Sequence, residues 1–333
     1  MPLEGGPEAR ENHPILFRKP HPKSRRENKA LPSRRKRPHY TPFLFQPQKQ
    51  KEEIFMQLGI RLHDIAKGTL PERLAIAKEQ GFACGHLALS KVIDEYSVAD
   101  SALTPGYAMY LKKLFAEYGI DVAVLGCYLN LANPNVQKLK ETQERYKAHI
   151  RFASLLGCGV VGTETGAPNE TYSYEEACHG EEALETFIRN VTPVVRYAEQ
   201  MGVILAIEPV FKHIVYNPAR AKKVLDAIDS PNLQIILDPV NMLDISNYKE
   251  QRKIVKEAVE LLGKDVAVVH IKDYQVKDGT LKSVAAGTGE MDYSDLMRFM
   301  KKEKPYIHAT LEDTVPENAV AARKHIQRLW EEA

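Results

Sequence analysis

No stretch of this 333-residue chain is apolar for anything near the roughly 20 residues that a membrane-spanning helix requires. The longest apolar runs, GVILAI and VAVV, are a fraction of that length. Cysteine is also scarce. Cys84, Cys127, Cys158 and Cys178 form no CxxC pair, which argues against a zinc knuckle or a disulfide framework. Three of the four lie in or beside apolar runs, so they are expected as small core residues of a protein in a reducing compartment, the cytoplasm. The N-terminus has no apolar segment for a secretory signal, and Glu4, Glu8, Glu11 and many prolines fit a transit peptide poorly. The GxGxxG fingerprint of a dinucleotide-binding doubly wound sheet is absent as well.

What is present is an ordinary globular composition, 44% hydrophobic and 27% charged, with an uneven distribution of charge. Residues 1–55 carry 13 Lys/Arg against 6 Asp/Glu and nine of the 20 prolines, while the remainder carries 33 against 38. The net +2 is therefore a +7 segment joined to a −5 segment. The first segment has neither helical nor strand periodicity and is expected to be a disordered, basic, Pro-rich extension. Its RRKR run suits a nuclear address or a nucleic-acid patch. Met56 stands directly before the first strand-like run, which makes it a candidate native start.

From Met56 to residue 333 a short apolar run followed by a stretch of 3.6-residue periodicity recurs eight times. The strand candidates are residues 57–62, 84–89, 121–126, 159–164, 203–208, 234–238, 266–271 and 307–312. The intervening helices are expected to end in left-handed caps at Gly81, Gly119, Gly157, Gly202 and Gly263. Eight such units match a (β/α)8 TIM barrel, typically about 250 residues long. GTGEMDY (287–293) is expected as a βα loop, a lid or a substrate contact.

In such a barrel the site is built at the C-terminal ends of the strands. The fifth run ends in Glu208, the sixth in Asp238 with Asn241 three residues on, the seventh in His270, and the eighth in Glu312. Four successive strands each supply one oxygen or nitrogen donor, and three carboxylates in one barrel mouth repel unless a cation joins them. The set predicts one divalent ion, Mn²⁺, Co²⁺, Mg²⁺ or Zn²⁺, held by Glu208, Asp238, His270 and Glu312. Lys272 and Asp273 follow the histidine. Both fit a supporting or substrate-contacting role as well as plain exposure. Glu164, after the fourth strand, and His63, after the first, face the same mouth and are candidate polyol contacts, as are Tyr128 and Asn130. His86, inside a strand run, and His149 and His325, in helical patterns, are expected to be structural.

The ordered set IEP, LDPVN, VVHIKD, GTGEMDY and TLED resembles the xylose isomerase-like sugar phosphate isomerase/epimerase family, nearest its ketose 3-epimerase, hydroxypyruvate isomerase and inosose dehydratase members. The resemblance implies that Glu208, Asp238, His270 and Glu312 bind one divalent metal and that Glu208 and Glu312 are the acid–base pair. The implied chemistry is sugar or sugar phosphate isomerisation or epimerisation through an enediolate, or dehydration of an inosose on the same site. Asn241, a candidate substrate contact, stands where many 3-epimerases carry a substrate-contacting His, which sets this chain apart from them. Members often form dimers or tetramers. An abasic-site endonuclease of the same barrel type binds three zinc ions and needs many more ligands, several of them His, whereas only eight His lie outside the first 55 residues and few of them at strand ends; the −5 charge also opposes nucleic-acid binding by the barrel. A non-enzymatic sugar- or metal-binding module with a nucleic-acid-docking tail is the remaining alternative.

Overall fold

The computed structural model describes residues 56–333, and the expected N-terminal extension lies outside them. Eight parallel strands close into a barrel. They are β1 (Gln57–Arg61), β2 (Cys84–Leu87), β3 (Asp121–Gly126), β4 (Val160–Glu164), β5 (Ile204–Glu208), β6 (Leu233–Leu237), β7 (Val266–Ile271) and β10 (His308–Leu311). They run around the barrel in the order β1-β10-β7-β6-β5-β4-β3-β2. All eight runs expected as strands are strands, within one or two residues at their ends.

The helices that cover the barrel are α1 (Leu70–Glu79), the single turn α2 (Leu89–Val92), α3 (Pro105–Tyr118), α4 (Val136–Leu156), α5 (Glu181–Met201), α6 (Pro218–Ile228), α7 (Gln251–Leu262), α8 (Ser294–Glu303) and α9 (Ala319–Glu332). Among the described residues, no helix is long and apolar enough to cross a membrane. Gly119, Gly157 and Gly202 cap α3, α4 and α5 in the left-handed conformation, as expected. Gly263 does not. Its φ is −50°, it opens a 3-10 turn, and a Cβ there would lie 3.1 Å from Phe299. Close packing between α7 and α8, not backbone conformation, favours that glycine.

An unexpected antiparallel hairpin, β8 (Asp273–Lys277) and β9 (Thr280–Val284), follows β7. Its two-residue loop is Asp278-Gly279, both with positive φ (51° and 70°). Asp-Gly is a composition that favours such a turn.

Two apolar layers hold the fold. The larger lies between strands and helices, with Ile207, Leu237 and Ile271 among its members. The smaller fills the barrel interior and consists of Val124, Val160, Ala206, Ile236 and Val268. Strand side chains alternate between faces, so the residues two positions beyond the inner layer also point inward. From Ala206, Ile236 and Val268 that step reaches Glu208, Asp238 and His270. The pairing of Ile236 with Val268, and of Gly162 with Ala206 and Glu164 with Glu208, brings these residues to one height.

Candidate metal centre at the barrel mouth

The run HIKD at the end of β7 divides by the same alternation. His270 and Lys272 face the interior, Ile271 joins the outer core, and Asp273 turns to the following loop. All four are buried, so simple surface exposure of Lys272 and Asp273 is ruled out.

The ligand atoms of Glu208, Asp238, His270 and Glu312 lie within 4.8 Å of one another, and all four residues are at most 5% exposed. His270 Nδ1 is 3.2 Å from Glu208 Oε1 and 3.2 Å from Glu312 Oε1. Asn241 Nδ2 donates to Glu208 Oε1 at 2.7 Å, and the backbone N–H groups of Val240 and Asn241 donate to Asp238 Oδ1. Lys272 Nζ donates to Glu312 Oε2 at 2.9 Å and forms an ion pair with Asp238 Oδ2 at 2.7 Å. Arg61, at the end of β1, adds a further positive charge 3.5 Å from Glu312 and is itself held by Asp64 and Asp313.

These contacts set the protonation states. Burial works against the ionised Glu312, but Lys272, His270 and Arg61 outweigh it and hold the carboxyl well below its usual range. Burial likewise opposes the His270 imidazolium, yet Glu312 and Glu208 raise it to about 9. For Asp238 burial prevails over Lys272 and pushes the carboxyl up to about 6. Burial works against the Lys272 ammonium too, but Asp238 and Glu312 keep it firmly charged.

The donor set fits a divalent cation. It is three carboxylates and an imidazole, buried, with Asp238 Oδ2 met by the Lys272 ammonium and His270 Nε2 left without a hydrogen-bond partner. Buried polar atoms are rarely left so.

Of the remaining candidates, Glu164 and His63 stand at the rim. Glu164 accepts from Tyr172 Oη at 3.2 Å, lies 3.6 Å from His213 Nδ1, and has its carboxyl raised by burial. Burial and neighbouring Arg61 lower His63 to about 4. Asn130 is engaged by the loops around it. Its amide donates to the carbonyls of Ala167 and Asn169 and accepts from the N–H of Ala132 and Ala167, which ties two loops together. The GTGEMDY loop is tied to the end of β7. Asp273 accepts four backbone N–H groups, from Tyr274, Gly287, Gly289 and Met291, at 2.8–3.1 Å, and Tyr293 Oη donates to Lys272 O.

His86, expected to be structural, lies beside the cluster. It is not a satisfied core histidine. Its ring stacks on His270 with centroids 5.3 Å apart, and its Nδ1 lies 3.8 Å from Glu312 Oε1. Tyr128 packs on its other side.

A family model described as xylose isomerase-like TIM barrel matches residues 74–330. Among curated proteins, a 3-oxo-isoapionate decarboxylase of Pectobacterium atrosepticum is 31% identical over 132 residues, 37% of this chain and 44% of that protein. The match thus spans less than half the length of that relative. Among solved structures, the IOLI protein with a bound zinc atom superposes with a TM-score of 0.65 at 19% identity, covering 83% of this chain and 99% of that one. A D-tagatose 3-epimerase-like protein gives 0.66 at 20%, over 83% and 98%. The 3-keto-D-glucoside 4-epimerase YcjR of E. coli gives 0.62 at 14%, over 83% and 99%. At these identities the structural matches establish the fold.

Proposed function

The chain belongs to the xylose isomerase-like TIM-barrel family, and from that premise we propose a divalent-metal-dependent enzyme that moves a proton next to the carbonyl of a sugar or polyol, as an epimerase or isomerase. One observation carries the reading: four neighbouring strand ends each deliver one donor, and the four donors meet within 4.8 Å. Glu208, Asp238, His270 and Glu312 would hold the ion, for which Mn²⁺, Co²⁺, Mg²⁺ and Zn²⁺ are the candidates. When bound, such an ion polarises a carbonyl and stabilises the negative charge that develops beside it.

Glu208 and Glu312 are the proton-transferring pair. Their Oε1 atoms flank His270 Nδ1 at equal distance, so one carboxylate can take a carbon-bound proton while the other side returns one. Return on the opposite face epimerises, return at the next carbon isomerises, and departure of a β-hydroxyl dehydrates. Acid–base transfer of this kind contributes about 10²–10⁴-fold. Asn241 holds Glu208 in place, and Lys272 keeps Glu312 ionised on the substrate side. Glu164 and His63 would meet substrate hydroxyls. The likeness to the Pectobacterium protein supports a second reading, decarboxylation of a 3-oxo sugar acid, in which loss of CO₂ takes the place of proton removal.

The test is deuterium wash-in followed by NMR, with ketoses, hydroxypyruvate, inosose and 3-oxo sugar acids, in Mn²⁺ or in a chelator. Metal-dependent exchange at C3 marks an epimerase, exchange at a terminal carbon an isomerase, loss of water a dehydratase, and loss of CO₂ a decarboxylase. A chain that binds no divalent ion and exchanges nothing removes the reading.

A further inference from the structure

His86 is the polar group that the four-residue cluster leaves unexplained. It lies on β2, paired with Arg61 of β1 on one side and Val124 of β3 on the other, and is 1% exposed. Neither of its ring nitrogens has a hydrogen-bond partner. A phenyl ring would fill the same space without the penalty of leaving a buried polar group unsatisfied. The ring is also built in rather than merely accommodated. At Gly126 on β3 a Cβ would come 2.6 Å from His86 Nε2 and 2.8 Å from the Tyr128 ring, so β3 omits a side chain where both rings pass.

With Nε2 over Gly126, Nδ1 faces the carboxylates. The Nδ1 atoms of His86 and His270 approach the same oxygen, Glu312 Oε1, at 3.8 and 3.2 Å. The donor atoms of His86, His270 and Glu312 lie within 4.8 Å of one another. Two imidazoles converging on one carboxylate oxygen, one of them with no other polar partner, form a mixed nitrogen–oxygen donor set.

We propose that His86 is a further ligand of the divalent ion, so that the centre draws two imidazoles, from β2 and β7, and favours borderline ions such as Zn²⁺ and Co²⁺ over Mg²⁺. The inference rests on the metal reading of the site given above. Nitrogen donors discriminate in this sense because Mg²⁺ is bound by oxygen and water while imidazole suits the later transition ions.

The test uses the full chain and the metals alone. Pulsed EPR of the Cu²⁺-bound protein counts coordinated imidazoles through their remote nitrogens. Two are expected in the wild type, one in His86→Phe, and two in His63→Phe. Calorimetry should show Zn²⁺ affinity falling at least tenfold in His86→Phe, with Mg²⁺ affinity changed less than twofold. A single imidazole in the wild type overturns the proposal while leaving the metal site intact. Two imidazoles retained in His86→Phe, or Zn²⁺ affinity unchanged in it, overturn it equally. A wild type that binds no divalent ion removes the metal reading along with it. The wild-type count requires no variant, and His86→Asn offers a second substitution if His86→Phe folds poorly.

Discussion

Lys272 and Asp238, inward-facing side chains from neighbouring strands, meet at 2.7 Å in the interior of the barrel mouth, and the same ammonium donates to Glu312. The centre thus carries its own cation among the carboxylates. Counted with Lys272 and a divalent ion, the three carboxylates come to formal neutrality.

Replacement of Lys272 by Met removes that internal cation and leaves Asp238 and Glu312 facing each other without it. Breaking a buried pair from one side costs about 3–5 kcal/mol. The metal-free variant should be less stable by about 3 kcal/mol, and a divalent ion should recover more stability in it than in the wild type. Urea unfolding with and without chelator measures both. Equal metal-induced stabilisation in the two proteins would show that Lys272 does not share the ion's electrostatic work.

Glu312→Gln keeps the size of the side chain but removes its charge and its capacity to take up a proton. Exchange on whichever substrate shows wash-in should fall by about 10²–10⁴-fold. The variant should also bind the divalent ion more weakly. NMR of the exchange and metal content of the purified variant report the two effects separately, and full exchange would take Glu312 out of the mechanism.

The division between what was legible and what was not follows from the same alternation. Buried parallel strands are short β-branched runs, and α3, α4 and α5 end at left-handed glycines, so the eight units stood out. Glu208, Asp238, His270 and Glu312 were legible because each closes such a run. His86 was not, because it lies within a run, where nothing local says which face it takes. Its placement depends on a register shift between Gly85 and His86 against β3, which no local pattern announces. The β8–β9 hairpin did carry a signal, Asp278-Gly279, but its largely polar strands lack the apolar runs that marked the barrel. The roles of Lys272, Arg61 and Asp273 required knowing which strands are neighbours.

Asp273→Ala should unfasten the GTGEMDY loop. Four backbone N–H groups would lose their acceptor at once, and orphaned buried donors cost about 1–3 kcal/mol each where water cannot reach them. A loss of about 3 kcal/mol or more is expected, with faster amide hydrogen exchange at residues 287–291. Asp273→Asn, which keeps one oxygen acceptor, should fall between. Unchanged exchange in the Ala variant would mean that the loop is held by other contacts.

His149 supplies a pH dependence far from the mouth. It is buried in α4, where its Nδ1 lies 2.9 Å from the Arg145 carbonyl, and burial together with the Arg145 charge lowers it from 6.5 to about 4. Between those values the unfolded chain carries the proton and the folded chain does not, so unfolding takes up a proton. Stability therefore falls as pH drops from about 6.5 towards 4, by up to about 3 kcal/mol from this residue alone. His63 and His213, also lowered to about 4, act with the same sign. The informative quantity is accordingly the difference between wild type and His149→Gln, which keeps a side-chain N–H but does not titrate. The variant should lose less stability than the wild type between pH 6.5 and 4.5 while matching its slope above pH 7. Parallel curves across the whole range would mean that His149 titrates at its ordinary value in the folded protein.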